Sequence, residues 1–135
     1  MLPRFVASLH FRHANYQFRY STTIPPERIV ITTGSSAGFL LSFLAAFSPG
    51  DVVAVASSGY PCYRNVCGAL GMDVVTVPIN SNYKVTSTEL TKCIETRRSN
   101  GDKPVNGLIM SSPSNPTGAM LTKDELTTLV ATCKR

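Results

Sequence analysis

Short apolar runs alternate with longer stretches of helical periodicity along this chain. Residues 28–33, 52–56, 73–77 and 107–111 are short apolar runs, the first of them β-branched and apolar on consecutive positions. Such runs are expected of parallel strands covered on both faces, where neither face meets water. Between them lie helical patterns. Residues 36–47 are apolar almost all round, with Ser42 the polar interruption, which predicts a helix buried on all sides or packed against another subunit. Pro49-Gly50-Asp51 ends it. A turn at Ser57-Ser58-Gly59 opens a helix over residues 60–70, closed by Gly71. Thr86 with Glu89, and Thr122 with Glu125, have the capping-box spacing, a hydroxyl and a carboxylate placed to satisfy orphan amides. The first starts a helix reaching about residue 99; the second starts one carrying Leu126, Leu129, Val130 and Cys133 on one stripe. At the N-terminus, Leu2, Phe5, Val6, Leu9, His13 and Tyr16 share a stripe of a further helix over residues 3–20.

Strand–helix alternation of this kind predicts an α/β fold: a three-layer αβα arrangement around a mostly parallel sheet with right-handed crossovers. The expected division is an N-terminal helix and connection over residues 1–25 and a sheet-bearing region over 26–135. With 135 residues, the chain is long enough to bury roughly 68% of its unfolded surface. The longest apolar run falls short of the ~20 residues needed to span a bilayer.

Charge adds little. Thirteen basic and eight acidic residues give a formal net charge of +5, spread along the chain. Basic pairs such as Arg97-Arg98 are not the blocks expected of a nucleic-acid surface. The cysteines, Cys62, Cys67, Cys93 and Cys133, form no CxxC and no His/Cys cluster, which argues against a metal site. Cys93 and Cys133 fall on apolar helix faces, where buried free thiols and a reducing, cytoplasmic setting are expected. Residues 1–26 contain Arg4, Arg12 and Arg19 with no acid before Glu27, so a mitochondrial leader competes with the structural helix.

Ligands of parallel sheets gather outside the carboxyl ends of the strands. Three turns there carry candidate chemistry. Thr33-Gly34-Ser35-Ser36-Ala37-Gly38 joins a predicted strand to a helix N-terminus, and its small residues, hydroxyls and free amides suit a phosphate. Capping a core helix without any ligand is the alternative. Gly59-Tyr60-Pro61-Cys62-Tyr63-Arg64-Asn65 offers an aromatic ring to stack on a planar ligand, or merely to fill core. Ser112-Pro113-Ser114-Asn115-Pro116-Thr117-Gly118 is stiffened by two prolines, either able to be cis, with the Asn115 carboxamide at its apex. It holds a ligand oxygen or only leads into the next helix.

Together these motifs, in this order with Pro49-Gly50-Asp51, resemble the class I/II aminotransferases, enzymes of fold type I that use pyridoxal 5'-phosphate. The resemblance implies part of the large domain of that fold. It implies that Ser35, Ser36 and Ala37 bind the cofactor phosphate, that Tyr60 stacks on the pyridine ring and that Asn115 hydrogen-bonds its phenolic oxygen. Tyr63 would stand behind the ring. Ser58 departs from the family, where proline commonly precedes Gly-Tyr-Pro.

The resemblance also implies a Schiff-base lysine that this chain lacks. Lys84, Lys92, Lys103, Lys123 and Lys134 match no such position and fall on predicted surface loops and helices. The chain is therefore expected to be a fragment without a catalytic residue, inactive alone, whose parent moves an amino group between an amino acid and a 2-oxo acid as a homodimer. The strand at 107–111 would be left without a neighbour on one edge. A lyase on the same fold shares these cofactor contacts and stays open. A non-enzymatic effector-binding domain and a nucleotide-binding domain are the remaining alternatives; the second would need a differently spaced glycine fingerprint.

Overall fold

The computed structural model describes residues 12–134, which divide into two units at residue 38. The first unit is helical over residues 12–20 (α1), so the part of the predicted N-terminal helix before residue 12 lies outside the described residues. His13 Nδ1 lies 2.7 Å from the carbonyl oxygen of Ile24, tying α1 to the segment that follows. Pro26–Arg28 then forms a single 3-10 turn.

The strand expected over residues 28–33 is not formed. Its first amides are taken by the turn: Arg28 N donates to Pro25 O at 2.9 Å and Ile29 N to Pro26 O at 3.0 Å. A β-branched run becomes a strand only beside a partner that accepts its ladder, and among the described residues none pairs with it. Val30 is left 74% exposed.

In the second unit, helix α2 (Ser35–Ala46), which begins in the first, leads to strand β1 (Val52–Ala56). Helix α3 (Pro61–Ala69), strand β2 (Asp73–Val77), helix α4 (Ser87–Ser99), strand β3 (Gly107–Ile109) and helix α5 (Lys123–Cys133) follow. The strands form a parallel sheet in the order β2-β1-β3, with Val52 opposite Asp73 and Val53 opposite Gly107. β1 and β2 keep the predicted bounds. β3 is two residues shorter than expected, ending where Ile109 pairs with Val55.

Alternation along β1 divides the core. Val53 and Val55 face one side, packing with Phe43, Tyr63, Cys67 and Met72; Ala54 faces the other, packing with Val77, Val85, Leu90 and Leu129. Helix α3 and the α2 residues from Phe39 onward therefore cover one face, and α4 and α5 cover the other, giving the three predicted layers. Both predicted capping boxes are present, at Thr86/Glu89 and Thr122/Glu125.

Two burial expectations need correction. Helix α2 buries Phe43, yet Leu40, Leu41 and Leu44 are 40%, 52% and 56% exposed, so it is not enclosed by the described residues. The sheet has only one face to offer a helix, and an all-apolar helix has more surface than one face can cover. Cys133 is exposed rather than buried: it shares a face with the buried Leu129, but it is the last residue of α5, one turn beyond the packed part of the helix; Cys93 is half-buried. Among the described residues no helix is long and apolar enough to cross a membrane, and no His/Cys/Asp/Glu group could hold a metal ion.

Candidate functional site

The first set of predicted residues lies in the first turn of α2. Gly34 has φ +105°, a conformation that a side chain would strain, and Thr32 Oγ1 donates to Gly34 O at 2.7 Å to pin the turn. The helical ladder begins with Gly38 N donating to Gly34 O at 3.4 Å. Ser35, Ser36 and Ala37 thus occupy the positive end of the helix dipole, with no acidic residue in that turn. This arrangement suits an anion.

The remaining residues lie in the second unit, at the carboxyl ends of β1 and β3. The loop after β1 leads to α3 on one face of the sheet, while the loop after β3 leads to α5 on the other. Where adjacent strands send their chains to opposite faces, a crevice opens between the loops. Gly59 and Ser114, next to Tyr60 and Asn115, line one pocket there with Ala56, Tyr63, Ile109 and Lys84. That pocket holds only about 20 Å³, room for one water, so its floor is filled. A cavity of about 220 Å³ opens on the Tyr60 side, bounded by Ala56, Gly59, Arg64 and Asn65.

Each side chain has a structural reason for its place. Gly59 N donates to Ala56 O at 2.9 Å, closing a tight turn that delivers Tyr60 as the cap of α3. Tyr60 is 37% exposed, and Tyr63 meets its ring edge-on at a centroid distance of 5.8 Å. Tyr63 is itself buried and stands edge-on to Phe39 at 5.1 Å, so a core aromatic fixes the outer one from behind. Ser58 Oγ, beside them, is buried without a hydrogen-bond partner among the described residues.

The loop after β3 is bonded to itself. Ser114 N donates to Ala119 O at 2.8 Å, Gly118 N to Ser114 O at 2.7 Å and Leu121 N to Ser112 Oγ at 2.9 Å. The Ser112-Pro113 and Asn115-Pro116 peptides are both cis. Asn115 N donates to Ser111 Oγ at 3.3 Å, while its carboxamide is exposed and makes no hydrogen bond among the described residues.

Sequence reasoning overlooked two residues here. Asn106 imitates a strand residue: its N–H donates to Val52 O and its side-chain oxygen accepts from Val52 N, each at 2.8 Å. An asparagine before a strand glycine was the available signal. Lys84 is not the surface lysine expected from its loop. Its side chain is 19% exposed, lines the crevice and donates to both Glu125 oxygens at 3.2 and 3.0 Å. The partner lies 41 residues away, which no local pattern reveals. The Thr122 N–H, and next the Lys84 ammonium, hold the Glu125 carboxyl below the ordinary glutamate range.

Known proteins share this chain's sequence and fold. It is 44% identical over 122 residues to a valine–pyruvate aminotransferase of Mycobacterium tuberculosis, covering 89% of this chain and 29% of that protein. It is 34% identical over 111 residues to 1-aminocyclopropane-1-carboxylate synthase 2 of Arabidopsis thaliana, covering 80% of this chain and 22% of that protein. The crystal structure of an aminotransferase from Mycobacterium tuberculosis superposes with a TM-score of 0.79 at 42% identity, over 93% of this chain and 31% of that one. The chain thus spans less than a third of the length of these relatives. The family described as aminotransferase class I and II matches residues 3–135, in keeping with the turns and the parallel sheet seen here, and the chain belongs to that family.

Proposed function

We propose that this chain forms the pyridoxal 5'-phosphate platform of an enzyme that moves an amino group between an amino acid and a 2-oxo acid. The observation that supports the reading is the divergence of the β1 and β3 loops, one presenting the partly exposed Tyr60 ring and the other carrying the exposed Asn115 carboxamide. A planar ring with an oxygen substituent matches that pair. The acid-free first turn of α2, with Ser35, Ser36 and Ala37, matches a phosphate. Tyr60 stacks, Tyr63 holds Tyr60, and Asn115 donates to the ring oxygen. When bound, the cofactor supplies the electron sink for ionising the amino acid's Cα–H bond.

The relative active on valine and pyruvate supports an amino acid with a 2-oxo acid as the substrate pair. Likeness to the synthase favours a second reading, a lyase using the same platform, because the residues named here hold the cofactor rather than choose the reaction. None of the five lysines supplies a free amine in the crevice: Lys84 is spent on Glu125, and the others do not line it. The chain by itself therefore binds without transaminating. The exposed Leu40, Leu41 and Leu44 of α2 are proposed to be covered by a second copy of the enzyme.

Pyridoxamine 5'-phosphate has no aldehyde to react with surface lysines, so its titration calorimetry tests the platform. Tyr60→Ala and Asn115→Ala should each weaken binding about tenfold, a loss of about 1.4 kcal/mol. Binding as tight as wild type in both variants would sink the proposal.

A further inference from the structure

The loop carrying Asn115 is fastened at two ends. At its start it leaves β3, paired with β1 through Ile109 and Val55. At its finish it enters α5 through Thr122, whose N–H donates to Glu125 Oε2 at 2.7 Å and whose Oγ1 accepts from Glu125 N at 3.2 Å. The same carboxylate receives Lys84, which follows β2 and lines the crevice. Lys84 does not swing freely, because its own backbone is locked in a turn. Asn80 Oδ1 accepts from Asn82 N at 2.9 Å and Lys84 N at 3.1 Å, and Asn80 N donates to Lys84 O at 2.9 Å. Tyr83 within this turn adopts φ +59°, a left-handed conformation that costs a non-glycine residue energy and that these bonds enforce.

We infer that Lys84 and Glu125 form a clamp beside the crevice that sets the position of the Asn115 loop, making both positioning residues for the cofactor's ring oxygen. The cofactor half of the inference rests on the function proposed above; the clamp itself does not. An exposed ion pair would carry little weight. This pair is bidentate and partly shielded, and it joins the segment after β2 directly to the first turn of α5, whereas the Ser87–Thr132 hydrogen bond joins α4 to α5 only at that helix's far end. The loop's internal bonds make it a rigid piece, so fixing Thr122 fixes Asn115.

Two substitutions separate the clamp from the helix cap. Glu125→Gln keeps a capping-box residue but removes the ion pair. Lys84→Met keeps the aliphatic stem and leaves Glu125 in place. Lys84→Arg restores a bidentate partner. Hydrogen exchange on the full chain, without ligand, should show the Ser114, Gly118 and Leu121 amides exchanging about tenfold faster in the Gln and Met variants, with β1 amides unchanged. Pyridoxamine 5'-phosphate affinity should fall several-fold in the same two variants, and Lys84→Arg should match wild type in both measurements. Unchanged loop exchange, acceleration spread equally into β1, or an Arg variant no better than Met would each overturn the clamp. A wild-type chain that binds no pyridoxamine 5'-phosphate would instead overturn the cofactor reading, and the exchange data alone would then decide the clamp.

Discussion

The two loops that bound the crevice are built in opposite ways. The loop after β1 is short and takes its position from the strand behind it: Val53 and Ala54 are fully buried, Val55 is 3% exposed, and β1 is paired on both sides. One turn bond suffices to deliver Tyr60, and an orphan hydroxyl at Ser58 is tolerated beside it. The loop after β3 is long and leaves a three-residue strand that is paired on one side and only half-buried. It compensates with bonds of its own, a capping box and an ion pair to a distant lysine. A site residue can thus inherit rigidity from the sheet or acquire it from a local network, and the two are vulnerable to different insults.

The largest effect is expected where β3 itself is held. A Cβ on Gly107 would overlap the Phe47 ring, which lies against the strand. Gly107→Val should cost about 3 kcal/mol by overpacking, read in urea denaturation, and should loosen the Asn115 loop before the Tyr60 turn. A loss below about 1 kcal/mol would show that Phe47 moves aside without consequence. A smaller effect is expected from acid. Glu125 titrates below its ordinary range in the folded chain, so its contribution is fully present above the unfolded value and lost as the pH falls through the lowered folded one. Glu89 shifts the same way, burial being outweighed by hydrogen bonds from Thr86. Comparison with Glu125→Gln therefore isolates the loop: the wild-type advantage in melting temperature should shrink from pH 7 to pH 3. A constant difference across that range would mean that the pair contributes nothing. The smallest effect concerns the short loop. Ser58→Ala removes a buried, unpartnered hydroxyl and should be neutral or stabilising by about 0.5 kcal/mol. A clear destabilisation would mean that the Tyr60 turn depends on that hydroxyl after all.

Legibility followed the range of the interaction. The capping boxes are readable because both partners lie within one turn, and β1 and β2 because each carries a valine-rich run bounded by turn residues. The Tyr60 and Asn115 loops were recognisable from composition and spacing. The remote partner of Lys84 leaves no local trace, so sequence alone puts this lysine on the surface, and the composition of the run at 28–33 predicts a strand but says nothing about whether a neighbour stands beside it. Helix α2 shows the same limit: its apolar circumference is plain, but what covers Leu41 and Leu44 is not written in the helix.

By itself the sequence determined the alternation of strands and helices, the caps, and the residue types gathered at the strand ends, since propensity, capping and turn chemistry act over a few residues. Only the tertiary structure decided which runs became strands, which face each helix covers, and that Lys84 reaches Glu125, 41 residues further along the chain. Those outcomes depend on partners brought together through space, where pairing, burial and charge are settled among residues that local pattern never compares.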